Sequence, residues 1–174
     1  GLQSRLFINF FPNAVYQPAT CIRLTLRAAQ ISGFPTENLV FEAAESEEVR
    51  DQAHVRRIFS DYRSRGFLTA IDDFGAGYTS FRNLRKLGVD IVKIDGAFVQ
   101  NIVRSADDRA FVQTLIDLAR RLEIKTVAEW VQDEEAAVML REWGCDFIQG
   151  RLIGLASPDR PWNVPAEKVV PAAG

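Results

Sequence analysis

Histidine and methionine each occur once, and cysteine only twice, among the 174 residues. One histidine (His54) and two cysteines in no CxxC or metal-ligand spacing argue against a structural zinc site or a disulfide scaffold. Cys21 and Cys145 read as reduced thiols of a cytoplasmic protein. Charge of one sign is missing as well. Lys and Arg number 21 against 23 Asp and Glu, a net charge of −2. No broad surface for a nucleic acid polymer is implied, and a small anionic ligand is admissible only if a metal supplies positive charge. No apolar run reaches membrane-spanning length, and no signal peptide is visible. A glycine-rich loop of the nucleoside-triphosphatase kind is also absent. The chain begins at Gly1, and its methionine is Met139. This does not read as a native translation start: an upstream segment was either removed or belongs to the same protein, where a regulatory or sensory domain is one option.

What is present is alternation. Short apolar runs predict strands over 5–10, 38–42, 67–71, 89–95, 125–129 and 146–150. Between them, apolar spacing predicts helices over 21–31, 51–65, 80–87, 107–122 and 134–143, several stopped by glycine. Six β/α units in series imply parallel strands with crossover helices. Pro158, Pro161, Pro165 and Pro171 favour an irregular tail, which divides the chain into a domain over 1–158 and a tail over 159–174. A complete eight-unit barrel needs about 250 residues, so six units read as a barrel short of two. Its open strand edges would favour oligomerisation or poor solubility.

Each predicted strand ends on a polar group: Asn9, Glu42, Asp72 with Asp73, Lys93 with Asp95, Glu129 and Gln149. Concentration of such groups at the C-terminal ends of strands is how barrel enzymes build a site. One amide and several carboxylates suit a hard cation such as Mg²⁺ or Mn²⁺. Asp72 and Asp73 would point to opposite faces of an extended strand. They share a site only if the backbone turns at once, and Gly75 and Gly77 permit a turn. Adjacent carboxylates before a helix also suit an N-cap. Lys93 is placed to polarise a water or neutralise a phosphate oxygen, or to form a strand-end ion pair with Asp95.

The ordered series Phe-Ile-Asn9-Phe, Phe41-Glu42-Ala43-Ala44-Glu45-Ser46, Asp72-Asp73-Phe74-Gly75-Ala76-Gly77-Tyr78, Lys93-Ile94-Asp95, Ala128-Glu129 and Gln149-Gly150 resembles the EAL-domain family of cyclic di-GMP phosphodiesterases. The resemblance spans about residues 6–158. It implies an EAL-type modified (β/α)₈ barrel, incomplete here, from a bacterial second-messenger pathway. It implies hydrolysis of cyclic di-GMP to linear pGpG with two Mg²⁺ or Mn²⁺ ions. By matching position, Asn9, Glu42 and Asp72 would bind one metal, and Asp72 would bridge to the second, near Asp73 and Glu129. Lys93 would assist the attacking water, and Asp95 would hold Lys93 or a bound water. Glu45 would steady the loop after Asp73, a loop that also supports a homodimer. Gln149 and Gly150 would lie on the substrate side.

The sequence departs from the family in places. The Glu-Ala-Leu tripeptide, whose glutamate is a family metal ligand, is not in this chain. Ala44 stands where threonine is usual, and Glu-Gly-Val-Glu appears as Glu129-Trp130-Val131-Gln132. Arg151 replaces an aromatic residue. Trp130 either crowds the site or offers a face on which a guanine stacks. These departures imply the alternative function, an EAL-type module that binds cyclic di-GMP or a protein partner without turnover.

Overall fold

The computed structural model describes residues 5–45, 52–76 and 81–155. The expected proline-rich tail, and Ser46, Gly77 and Tyr78 of the motif series, lie outside the described residues. In chain order the elements are β1 (Leu6–Asn9), α1 (Pro18–Cys21), α2 (Arg23–Ser32), β2 (Leu39–Ala44), α3 (Gln52–Ser64) and β3 (Leu68–Phe74). They continue with α4 (Phe81–Leu87), β4 (Ile91–Ile94), α5 (Gly96–Val99), α6 (Ala106–Arg121), β5 (Lys125–Ala128), α7 (Glu134–Glu142) and β6 (Phe147–Ile148). The six strands form one sheet in the order β1-β2-β3-β4-β5-β6, and every neighbouring pair is parallel. Sequential order without reversal is the order of a barrel wall, whereas a doubly wound sheet reverses at a switch point. The arc curls far enough that the Arg5 guanidinium, just before β1, lies 4.9 Å from the ring centre of Phe147 in β6.

The strand period of two sorts the side chains. Ala43, Ile71, Val92, Ile94 and Ala128 face outward and are buried in one cluster with Phe59 of α3, Val112 and Ile116 of α6, and Leu140 of α7. The alternate residues Val40, Ala70, Ile91 and Val127 form a separate inner cluster with Phe7 and Leu68. Two residues along each strand from these inner residues come Asn9, Glu42, Asp72, Lys93 and Glu129. The same parity that fills the barrel floor with aliphatics thus lines its C-terminal rim with polar groups.

Helix ends carry their own signals. Ser105 accepts a hydrogen bond from the Asp108 N–H and caps α6, which opens on Asp107 and Asp108 and closes on Arg120 and Arg121, an arrangement that complements the helix dipole. Asp133 caps α7 through the Ala136 N–H at 2.8 Å. At the opposite rim a device occurs twice. Asp90, before β4, accepts from the Thr69 N–H (2.8 Å) and Oγ1 (2.9 Å). Asp146, before β6, accepts from the Thr126 N–H (3.0 Å) and Oγ1 (3.2 Å). Each aspartate ties the entry of one strand to its neighbour, on the face of such barrels that serves stability.

Several boundaries differ from the sequence expectation, two strand ends and one helix most clearly. Strands β2 and β3 run two residues past Glu42 and Asp72, to Ala44 and Phe74, because Ala43 still pairs with Ile71, Ala44 with Asp72, and Phe74 with Ile94 of β4. The expected helix over 21–31 is divided into α1 and α2 at Ile22, which is buried as an anchor.

Candidate metal and phosphate site

Strand β3 solves the facing problem of Asp72 and Asp73 with a bulge. Ile71 pairs with Val92 and Phe74 with Ile94, so two aspartates stand opposite the single Lys93. Asp73 takes φ 53, a left-handed conformation that aspartate tolerates better than most residues. The turn expected at the glycines therefore begins two residues earlier, at Asp73 itself. Its N–H donates to Asp72 Oδ1 at 3.1 Å.

Four strands deliver charge to the same rim. Lys93 Nζ lies 2.7 Å from Asp72 Oδ1, 2.8 Å from Glu129 Oε1 and 3.2 Å from Glu42 Oε2. Glu42, Lys93 and Glu129 are all buried. Asp72, Asp73 and Glu129 each offer an oxygen within 4.8 Å of the other two. Burial raises the pKa of Glu42 and of Glu129 against the opposing pull of Lys93, and neighbouring Asp72 adds to the rise. Asp73 is raised by partial burial and then by the Asp72 charge. Burial disfavours the Lys93 charge, but hydrogen bonds to Asp72 and Glu129 outweigh it and hold the ammonium above its ordinary pKa. One cation thus serves several carboxylates, and the rim keeps surplus negative charge.

That surplus fits a divalent ion. Glu42 Oε2 is buried and meets the Lys93 ammonium as an ion pair at 3.2 Å, with no well-aligned hydrogen bond of its own. A buried carboxylate oxygen that shares one ammonium with its neighbours, beside three clustered carboxylates, is a hard-cation donor set.

The other expected residues take distinct places. Asn9 is exposed and pairs in register with Glu42, so it reaches the same rim. Glu45 is buried, and its Oε2 accepts the Gly75 N–H at 2.8 Å, fastening the backbone two residues after Asp73. Asp95 caps α5, accepting from the Ala97 N–H at 2.7 Å, so the strand-end ion pairs of Lys93 run to Glu42, Asp72 and Glu129 instead. Gln149 is exposed at the end of β6 and Gly150 half-buried. A Cβ on Gly150 would stand 2.3 Å from the Val131 carbonyl oxygen, so only glycine lets this loop lie on the segment after Glu129. Sequence reasoning missed Gly96, against which Trp130 is seated. The available signal was a glycine directly after the Lys-x-Asp strand end.

Comparison with known proteins agrees with this architecture. The family model described as EAL domain matches residues 1–156. The cyclic di-GMP phosphodiesterase PdeB of Shewanella oneidensis is 38% identical over 129 residues, covering 74% of this chain and 15% of that protein. The cyclic di-GMP phosphodiesterase PdeF of Escherichia coli is 34% identical over 156 residues, covering 88% of this chain and 20% of that protein. The chain thus spans a fifth or less of the length of these relatives. A standalone EAL protein from Vibrio cholerae, solved with cyclic di-GMP bound, superposes with a TM-score of 0.79 at 41% identity, covering 86% of this chain and 63% of that one. Klebsiella pneumoniae BlrP1, solved with manganese and cyclic di-GMP, gives a TM-score of 0.77 at 28% identity over 85% of this chain and 38% of that one.

Proposed function

We propose that this chain, which belongs to the EAL domain family, is the metal- and phosphate-binding part of a cyclic di-GMP phosphodiesterase that releases linear pGpG. The observation that carries the reading is the convergence of Glu42, Asp72, Asp73 and Glu129 on one rim around Lys93. Asn9, Glu42 and Asp72 would hold one Mg²⁺ or Mn²⁺, and Asp72, Asp73 and Glu129 the other. Bound there, such a pair neutralises a phosphodiester and activates a water for in-line attack. The protein's own groups do the rest. Lys93 keeps its proton and supplies a fixed positive charge beside the phosphate. Glu45 fixes the Gly75 backbone, and so the reach of Asp73. Asp95 fixes the start of α5. Gln149, Gly150 and Trp130 lie on the side from which a dinucleotide would enter.

The test is incubation of the whole protein with cyclic di-GMP and Mn²⁺ or Mg²⁺, with products separated by chromatography. pGpG is expected, and Asp72→Asn should abolish it, since an amide cannot supply the bridging charge. No product from the intact protein would overturn the assignment.

A second reading is favoured by one observation. Trp130, in a left-handed conformation directly after Glu129, puts a bulky side chain beside the carboxylate set. On that reading the domain, which we place at residues 1–158, binds cyclic di-GMP or a partner without turnover. Calorimetric binding with no pGpG would favour it. A homodimer through the loop after Asp73 and an upstream regulatory domain complete the proposal. Among the described residues no helix is long and apolar enough to cross a membrane.

A further inference from the structure

The Trp130 indole is held by one face and open on the other. A Cβ at residue 96 would stand 2.4 Å from Trp130 Cγ and 2.7 Å from both Cδ1 and Cδ2. A point this close to an sp² carbon and almost equally close to its two ring neighbours lies above the ring plane, not at its edge. The indole is therefore laid face-on over the Gly96 backbone, at a separation that any side chain there would forbid. Trp130 is nonetheless 60% exposed, which leaves the opposite face to solvent.

The backbone fixes the ring from the other side. Trp130 has φ 55, and a bulky residue in that region is a conformational outlier. Its successor, Val131, is buried, and the Val131 N–H donates to the Gln149 carbonyl at 3.0 Å. Its predecessor, Glu129, belongs to the carboxylate cluster. A residue that stores backbone strain and leaves most of its surface exposed adds little to the core. Strain of this kind persists where surrounding structure imposes it and a site uses it. What the arrangement offers is a rigid, half-open aromatic plane next to a phosphate-binding rim.

We propose that Trp130 is a base platform: the open indole face stacks on a guanine of the cyclic dinucleotide while the carboxylate rim engages its phosphates. The proposal rests on the cyclic di-GMP reading above and assigns Trp130 a share of ligand affinity in this chain. Gly96 is the positioning residue, since it alone lets the ring lie flat.

The experiment is calorimetric titration of the whole protein with cyclic di-GMP in Ca²⁺ buffer, paired with thermal melting of each variant. Stacking of one base on an aromatic side chain corresponds to about a 5- to 150-fold change in affinity. Trp130→Gly should weaken binding at least about fivefold while raising the melting temperature, because glycine accepts the left-handed backbone. Trp130→Phe should keep most of the affinity. Gly96→Ala, which tilts the ring without touching the ligand, should weaken binding as Trp130→Gly does. A merely structural tryptophan would move stability and affinity in the same direction. Undiminished affinity in Trp130→Gly, in a protein that otherwise binds, would overturn the platform alone. No binding by the unsubstituted protein would instead remove the cyclic di-GMP reading, and the platform with it.

Discussion

The Lys93 ammonium lies 2.8 Å from the Glu129 carboxylate, with side-chain exposures of 7% and 9%. The same nitrogen serves Asp72 and Glu42, so it is the buried counter-charge of the whole rim. Lys93→Met keeps most of the side chain's length and removes the charge. Removing one partner of a buried ion pair costs about 3–5 kcal/mol, chiefly from the uncompensated charge left behind. Urea denaturation should show a loss of that order without metal. Mn²⁺ should recover much of it, since a divalent ion supplies the missing positive charge. A metal-free variant as stable as the parent would contradict the role given to Lys93.

Asp73 carries two demands, a left-handed backbone and a carboxylate, and substitutions separate them. Asp73→Asn keeps the conformational tolerance, so thermal stability should stay within about 0.5 kcal/mol of the parent, while Mn²⁺ affinity measured by calorimetry falls. Asp73→Val should also lose about 1–2 kcal/mol, because a β-branched residue resists positive φ. Equal stability of the two variants would show that the bulge at residue 73 is not fixed.

The order of the elements was legible because apolar runs alternate with helical spacing from Leu6 to Ile148. The rim was legible because Glu42, Asp72, Lys93 and Glu129 share the parity of the inner-facing aliphatics. Local backbone conformation was not. Nothing in Asp72-Asp73-Phe74 distinguishes a strand that ends from one that bulges, since that depends on pairing with β4, far along the chain. Helix α5 is four residues long, too short to show a period, so from sequence Asp95 reads as a partner of Lys93 or of a bound water, whereas its carboxylate caps a helix. The seat of Trp130 on Gly96 joins the first residue of α5 to the loop after β5, 34 positions apart, and no single stretch carries its signal.

Gly150 has a steric task that one methyl group can test. A Cβ there would meet the Val131 carbonyl oxygen at 2.3 Å and the Val131 nitrogen at 2.4 Å. Both are backbone atoms and cannot rotate away. Gly150→Ala should therefore shift the segment after Glu129, at about 1–3 kcal/mol for overpacking. Hydrogen exchange should show the Val131 amide, now bonded to Gln149 O, losing protection ahead of the helices. Unchanged protection at Val131 would mean that the loop yields elsewhere.

Asp146 gives the fold a pH dependence whose sign can be worked out. Partial burial opposes its charge, but hydrogen bonds from Lys125 and from the Thr126 N–H and hydroxyl prevail and hold its pKa below the ordinary 3.8. A carboxylate with a lowered pKa in the folded state stabilises that state fully above its unfolded value, and the contribution disappears as pH falls through the folded value. Asp146→Asn should thus cost stability at pH 7, about 1.5–3 kcal/mol for hydrogen bonds to a charged acceptor. The gap between parent and variant should close as pH drops below 3.8 toward 2. Thermal melting of both proteins across that range checks it. A gap that stays constant down to pH 2 would mean that packing, and not the ionised carboxylate, ties β5 to β6.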